Sequence, residues 1–451
     1  MNKYFLITFS ILPLLVIAGV LALNFWGRDY GPPPKAEGTE KELALYLEVR
    51  EILLERYDGE LEGTKLLDGA LSGMTAAPGD RYTHINVPLE AQAQREQLQG
   101  HFYGIGVLVR GNTDGSILVR GVYSDGPAGK AGLRDNDVIV AVDGASCLDQ
   151  PFEATQRRIR GERNTPVVIT VLRGGKPDNG RDAHAEKLDF SITRGEVTSY
   201  SVHNARIEER EGRKFGYVRV SDFHDNTFDP QLKDAIEQLT RGGAEGLVLD
   251  LRQNGGGKVR VAEAMIDAFL EQKDALMVFT RSNNEKNRKD DRESRTQDDQ
   301  AITRLPLVLL VDRGSASATE IVTGALKDHG RALVVGERTF GKGVVQSIHY
   351  LRTDPRYSLN VTTTQYYTPL GRRVQKGSKG EPGGIRPHVE IPYRDEDEYR
   401  LIVTKLELQE SRLSSGALLE TEAQRKAWNA EDRMLNAALS LLAGKAVNVK
   451  D

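Results

Sequence analysis

Apolar positions along the chain follow two periods, and the change between them divides it. From residue 38 to 57, Leu45, Val49, Ile52 and Leu53 fall on one helical face. Leu66, Leu67, Ala70, Leu71 and Met74 predict a second helix, stopped by Ala77-Pro78-Gly79-Asp80, and a polar helical segment runs from about Leu89 to Gln99. At His101 the pattern turns into short apolar runs cut by glycine. Strands are expected at Phe102 to Val109, Ile117 to Val122, Asp137 to an Asp143-Gly144 turn, and Pro166 to Arg173, with short helices at Gly126 to Leu133 and Phe152 to Arg160. Strand-like material continues to Thr193 and past Val197. Strands at Lys214 to Val220, Glu245 to Arg252, Leu305 to Leu310 and Arg331 to Gly336 then alternate with helices at Phe228 to Leu239, Val261 to Leu270 and from Ala318 onward. That alternation predicts a layered α/β domain. Val344 to Tyr350 and Tyr357 to Tyr367 read as an antiparallel pair, and the charged run Ser282 to Gln300 as a solvated loop or helix face.

The chain of 451 residues is long enough for two or three domains with their own cores. Net charge is −4 with both signs interspersed, which argues against nucleic acid as the main partner. The single cysteine, Cys147, excludes an intrachain disulfide and a cysteine-based zinc site. The eight histidines lack metal-ligand spacing, so no metal or organic cofactor is expected. Phe5 to Trp26 is uncharged, follows Lys3 and is long enough to cross a bilayer core. Ala18, Gly19 and Ala22 make a poor cleavage site, so an N-terminal transmembrane helix is expected, with export after signal cleavage as the alternative. With Lys3 inside, residues after about 28 face outward, on the periplasmic side of an inner or plasma membrane. The expected divisions are 1–27, anchor or signal; 28–37, a stiff linker containing Tyr30-Gly31-Pro32-Pro33-Pro34; 38–100, a helical region without chemistry; 101–175, a small β-rich domain; and 176–451, the α/β core with a C-terminal helical tail.

Two turns in the core suit acyl chemistry. Gly314-Ser315-Ala316-Ser317-Ala318 joins a buried strand to a helix, where a hydroxyl and free backbone N–H groups can meet a carbonyl. Gln253-Asn254-Gly255-Gly256-Gly257 also follows a strand and lacks the Gly-Lys-Ser/Thr ending of a P-loop, so Gly256 and Gly257 are candidate oxyanion donors. A serine needs a partner to take its proton. His329 sits at the far end of the helix, about 18 Å away at 1.5 Å per residue, and points elsewhere. Lys342, flanked by Gly341 and Gly343, could serve if burial lowered its pKa, and Gln346 could orient the amine. Spacing alone leaves a plain surface lysine and a tight glycine turn as alternatives.

Residues 101–175 resemble a PDZ domain, with Tyr103-Gly104-Ile105-Gly106 matching its carboxylate-binding loop. Glycines there let N–H groups turn toward a terminal carboxylate, and the adjacent strand edge can pair with a peptide. The chain from about residue 40 onward resembles the carboxy-terminal processing peptidases, which are PDZ-containing serine proteases. The resemblance rests on Gly314-Ser315-Ala316-Ser317-Ala318-Thr319-Glu320-Ile321, Gly336 to Gly343, Val345-Gln346, Asp250 to Gly257, Thr364 to Arg372 and Ile385 to Val389. Lys342 follows Ser317 by 25 residues, as the family spacing requires. The resemblance implies Ser317 as nucleophile, Lys342 as general base, Gln346 as its orienting group and the Ala318 N–H as second oxyanion donor. It implies an α/β, crotonase-like protease core with a helical N-terminal region and an inserted PDZ domain. The implied partners are protein or peptide substrates with free C-terminal tails, the membrane through the first helix, and a homo-oligomer or adaptor protein. Two departures stand out: Thr319 where serine is common, and a lengthened basic stretch, Arg372 to Gly384. The rival readings are a non-catalytic PDZ scaffold on a degenerate protease fold and a crotonase-type enzyme acting on thioesters.

Overall fold

A computed structural model describes residues 38–123, 125–377, 381–411 and 431–447. The expected transmembrane segment and the proline linker lie outside these residues. Among the described residues, no helix is long and apolar enough to cross a membrane. The described residues form two compact units, divided between Met74 and Thr75. The first contains α1 (Thr39–Arg56) and most of α2 (Gly63–Ala76). Both helices form where the periodicity places them, yet neither has a buried residue, and Leu45, Val49, Ile52 and Leu53 are exposed.

The second unit opens with β1 (His84–Asn86) and α3 (Pro88–Gln99). Pro88 sits in the first turn of α3, and Glu90 accepts the Val87 N–H at 3.2 Å, so the helix start is fixed by its own sequence. The β-rich domain follows: β2 (His101–Gly104), β3 (Val107–Gly111), β4 (Ile117–Val122), α4 (Pro127–Ala131), β5 (Val138–Val142), β6 (Ala145–Ser146), α5 (Phe152–Ile159), β7 (Pro166–Arg173), β8 (Glu186–Thr193) and β9 (Gly195–Thr198). Its sheet runs β3-β4-β5-β7-β8, all antiparallel, while β2 and β9 form a separate ribbon. Period-2 alternation sends Ile117, Val119, Ile139, Ile169 and Val171 into one core. Leu118, Val138 and Val140 form a small cluster apart from it. Because β8 pairs along the whole of β7, the domain extends past residue 175, the boundary expected from the sequence. A long polar connection, 174–185, separates the two strands and hid their pairing.

The larger domain contains β10 (Val202–Arg210), β11 (Arg213–Val220), α6 (Lys233–Arg241), β12 (Leu247–Asp250), α7 (Val259–Phe269), β13 (Leu276–Arg281), β14 (Glu293–Arg295), β15 (Leu307–Val311), α8 (Ala318–Asp328), β16 (Ala332–Gly336), β17 (Val344–Tyr350), β18 (Ser358–Tyr367), β19 (Val389–Glu390), α9 (Glu396–Ser411) and α10 (Arg433–Leu442). The main sheet runs β10-β11-β12-β15-β16-β19, parallel from β11 onward. Both of its faces are covered. Leu247, Leu249, Leu307 and Leu309 pack in the same core as α7 and α8, while Val248, Val308 and Leu310 pack with Met434 and Leu435 of α10. Burial on two sides is why these strands read as unbroken apolar runs. A second sheet, β1-β18-β13-β14 with β17 on β18, brings the segment before α3 against the C-terminal half. α6 starts later than expected, because Asp229 has extended backbone angles and Pro230 follows it.

Arg252, 1% exposed, joins the end of β12 to the start of α10. Its guanidinium donates to Asp250 Oδ2 at 2.6 Å and to Asp432 Oδ2 at 2.8 Å, and Asp432 caps α10 by accepting the Leu435 N–H at 3.0 Å. Removing one partner of a buried ionic group leaves charge and donors unsatisfied. Asp432→Ala should therefore lower unfolding stability by about 3 kcal/mol. Urea denaturation checks this, and a loss no larger than that of an exposed Asp→Ala change would overturn it.

Candidate active site

The turn between β15 and α8 separates its two serines by environment. Ser315 is fully buried: its Oγ accepts the Asp312 N–H at 3.0 Å and donates to the Leu251 carbonyl at 2.8 Å. It is a turn residue, as the spacing argument implied. Ser317 precedes α8 and has φ 58° and ψ −118°, a region that side-chain-bearing residues rarely enter. Such backbone costs on the order of 1–3 kcal/mol and persists only where the surroundings impose it.

Glu320 holds this turn in place. Its Oε2 accepts the N–H of Ser317 at 2.9 Å and of Lys342 at 2.8 Å. Its Oε1 accepts the N–H of Gly341 at 2.8 Å and the Thr339 hydroxyl at 2.6 Å. One carboxylate thus fastens the serine turn to the lysine turn. Burial pushes the Glu320 pKa up, while the four donors pull against that. The Phe340 N–H donates to the Ser315 carbonyl at 3.0 Å, and the Tyr366 hydroxyl lies 3.0 Å from the Ser317 carbonyl and 2.7 Å from that of Lys342. The glycines around Lys342 answer to crowding: a Cβ on Gly343 would lie 2.2 Å from the Gln375 nitrogen. Gln375 and Lys376, in the basic stretch 372–384, bond to Gly343 N–H and the Gly341 carbonyl, so that stretch braces the lysine turn.

Lys342 is half-buried. Desolvation lowers its pKa from the ordinary lysine value, Arg81 pushes the same way, and Glu320 and Asp80 oppose. Its Nζ donates to Gln346 Oε1 at 3.2 Å and lies 5.2 Å from the centre of the Tyr82 ring. Gln346 Nε2 in turn donates to the Tyr82 carbonyl. A carbonyl only accepts, so the amide is held with its oxygen toward the lysine. His329 caps the far end of α8, with Nε2 2.7 Å from the Leu276 carbonyl.

The glycine turn after β12 lies against the serine. A Cβ on Gly256 would fall 2.8 Å from the Ser317 Cβ and 2.9 Å from the Ala318 nitrogen, and Gly256 has φ 107°. Its own N–H is engaged, donating to Asn254 Oδ1 at 2.9 Å, so Gly256 does not meet the expectation of a free donor. Among the described residues, neither the N–H of Gly257 nor that of Ala318 has a hydrogen-bond partner. Asn254 also receives the Ala316 N–H and the Thr319 hydroxyl on its carbonyl, both at 2.9 Å. Thr319 keeps the hydroxyl that serine would supply.

Ser317, Lys342, Gln346 and Gly257 line one cavity of about 190 Å³. Gln94 and Leu98 of α3 line it too. This corrects the reading of residues 38–100 as a region without chemistry: α3 forms part of the wall and Tyr82 holds Gln346. The sequence carried no signal for Tyr82, because the working atom is a backbone oxygen. Glu320 lay inside the motif, and its place three residues after Ser317 reads as an ordinary capping position.

A second cavity, of about 260 Å³, lies in the β-rich domain between β3 and α5, lined by Gly104, Ile105, Gly106, Gln156, Ile159 and Arg160. The Ile105 carbonyl accepts the Ala128 N–H at 2.6 Å and the Gly106 carbonyl the Tyr123 N–H at 3.1 Å. β3 pairs with β4 alone, which leaves its other edge open. Tyr103 is not in this wall; it pairs with Glu196 in the β2–β9 ribbon, and Phe102 lines the cavity instead.

Comparison with known proteins gives matches that agree with this anatomy. The model of Peptidase family S41 matches residues 214–391, and a PDZ domain model matches 118–173. A carboxyl-terminal-processing protease of Synechocystis sp. is 33% identical over 68% of this chain and 68% of its own length. A probable CtpA-like serine protease of Staphylococcus haemolyticus is 31% identical over 72% of this chain, which spans 60% of that protein. The solved structure of a putative S41 protease from Bacteroides fragilis, 17% identical, aligns with 89% of this chain and 98% of its own at a TM-score of 0.51, a likeness of fold.

Strain at Ser317 has a measurable consequence. Ser317→Gly should raise unfolding stability by about 1 kcal/mol, relief of strain outweighing glycine's extra freedom when unfolded. Ser315→Ala, which strips two buried bonds, should lower it by about 2 kcal/mol. Urea titration of both variants checks the pair, and a destabilised Ser317→Gly would contradict the strain.

Proposed function

The chain belongs to the carboxyl-terminal-processing proteases of peptidase family S41, and from that membership we propose that it is a serine endopeptidase cutting proteins near their carboxyl termini. The observation that carries the reading is the Glu320 carboxylate, which joins the turns of Ser317 and Lys342 while both residues face one cavity. Lys342, as the neutral amine, takes the Ser317 hydroxyl proton while Oγ bonds to the scissile carbonyl carbon. Gln346 Oε1 holds one amine hydrogen, which leaves the nitrogen lone pair for that proton. Negative charge gathers on the carbonyl oxygen, where the N–H groups of Gly257 and Ala318 are the donors. Gly256 contributes close approach rather than a hydrogen bond. Collapse breaks the C–N bond, and the Lys342 ammonium returns its proton to the leaving amine. Water then repeats the sequence to release the acyl group and restore Ser317.

The β-rich domain delivers the substrate. Carbonyls of Ile105 and Gly106 turn inward, so the N–H groups of the same loop suit a terminal carboxylate, and the free edge of β3 suits an added strand. Residues 5–26 anchor the enzyme in the membrane with the rest of the chain outward. The intact serine, lysine and glutamine speak against a non-catalytic scaffold.

Casein digestion tests the catalytic assignment. Ser317→Ala and Lys342→Ala should each lower kcat/KM by at least about 10³-fold; unchanged cleavage by either would remove that residue from the mechanism. Because the base acts unprotonated, kcat/KM should rise with pH through a limb below the ordinary lysine value of 10.5. Arg81→Ala removes a positive neighbour and should move that limb to higher pH; a fixed limb would mean that Arg81 does not tune the lysine. For the PDZ groove, amidating the C-terminus of a tail peptide should weaken its binding to the full chain, and equal affinity would exclude carboxylate capture.

A further inference from the structure

Arg81 is a cation held beside the catalytic lysine without an anion to match it. The residue is exposed, and its guanidinium carbon lies 4.8 Å from the centre of the Tyr82 ring and 5.5 Å from that of the Phe340 ring. Its Nη2 donates to the Tyr82 hydroxyl at 2.6 Å. Among the described residues that is its only hydrogen bond, and it makes no ion pair. A guanidinium carries five N–H donors, so most of them are open to a ligand. The neighbouring carboxylates are committed elsewhere. Asp80 Oδ1 accepts the Tyr82 N–H at 3.0 Å and its Oδ2 the Thr83 hydroxyl at 2.8 Å, while Glu320 is closed off by its four donors. Lys342 Nζ lies 5.2 Å from the centre of the same Tyr82 ring. The two cations are therefore at most about 10 Å apart, the length of about three residues of extended chain. Phe340, two residues before Lys342, is 43% exposed, so the guanidinium and its aromatic support stand at the surface and outside the wall of the cavity.

We propose that Arg81 is a specificity-determining residue, which binds the carboxylate of an aspartate or glutamate side chain lying within about three residues of the scissile bond. The inference rests on the reading of Ser317 and Lys342 as the proteolytic pair. A planar guanidinium matches a carboxylate with two parallel hydrogen bonds. The two rings hold it in place before substrate arrives, so less side-chain freedom is lost on binding. A bound carboxylate also neutralises the charge that helps to push the Lys342 pKa down. The complex with an acidic peptide then holds the ammonium more strongly than the complex with a neutral one. Its limb in kcat moves to higher pH, while the limb in kcat/KM, set by the free enzyme, stays where it is. If Arg81 served the lysine alone, acidic and neutral peptides would behave alike.

The test uses the full-length enzyme and peptides with a constant free C-terminus, changed from Gln to Glu at one residue at a time over the three residues on either side of the cut. At one position wild type should cleave the Glu peptide with a kcat/KM about 5-fold above the Gln peptide, a ratio that shrinks as salt is raised. Arg81→Gln should bring that ratio to about one, and Arg81→Glu should reverse it and favour a Lys peptide at the same position. In wild type the kcat limb for the Glu peptide should lie on the order of 0.5 pH unit above that for the Gln peptide, a comparison that needs no variant to fold. Equal kcat/KM for Glu and Gln at every position, a ratio unchanged in Arg81→Gln, or coincident kcat limbs would each overturn the proposal. Cleavage that persists in Ser317→Ala sinks the protease reading and this inference with it. Ser317-dependent cleavage that ignores the added carboxylate sinks this inference alone.

Discussion

A buried carboxylate that accepts four hydrogen bonds is the constraint on which the active site depends. Glu320 could not be 0% exposed in an apolar helix face without them, since an unpaired buried charge costs several kcal/mol. Once they are made, the serine and lysine turns are positioned by one group rather than by the loops between them. The carboxylate also sits in the first turn of α8, where the helix dipole favours negative charge. The serine N–H donates to this carboxylate from a backbone of positive φ, so the strained residue is held at its nitrogen.

A second tie comes from the opposite end of the chain. β1 adds to the edge of β18, which brings Tyr82 over Lys342. The carbonyl of Tyr82 then fixes the Gln346 amide, and the ring covers the ammonium stem. Burial lowers the lysine pKa, and the segment before α3 helps to build the surroundings of Lys342 although it lies some 260 residues from it in sequence.

The parallel sheet was legible because strands such as Leu307–Val311 are covered on both faces and carry no polar interruption. Ser317, Lys342 and Gln346 were legible because side-chain chemistry and spacing coincide at them. Three features were not. The pairing of β8 with β7 spans a polar connection, so no local pattern announces it. The exposed faces of α1 and α2 have the right period but no core of their own, and periodicity alone cannot say whether an apolar stripe is covered. The engaged N–H of Gly256 and the carbonyl of Tyr82 are backbone atoms, identical in every residue type, and only tertiary geometry distinguishes them. Asn254 shows the same limit: it lies beside the glycines in sequence, and its side chain decides which of them keeps a free N–H.

The groups that build the site are dispersed from Tyr82 through Asn254, Ser317, Glu320, Lys342 and Tyr366 to Gln375. Ser317 therefore leaves the ribosome after Tyr82 and Asn254 but before Lys342, Tyr366 and Gln375. A chain that ends between Lys342 and β18 has the serine and the lysine but neither the Tyr366 hydroxyl nor the Gln375 side chain that bond the lysine turn. The site is therefore complete only once more than four fifths of the chain is present.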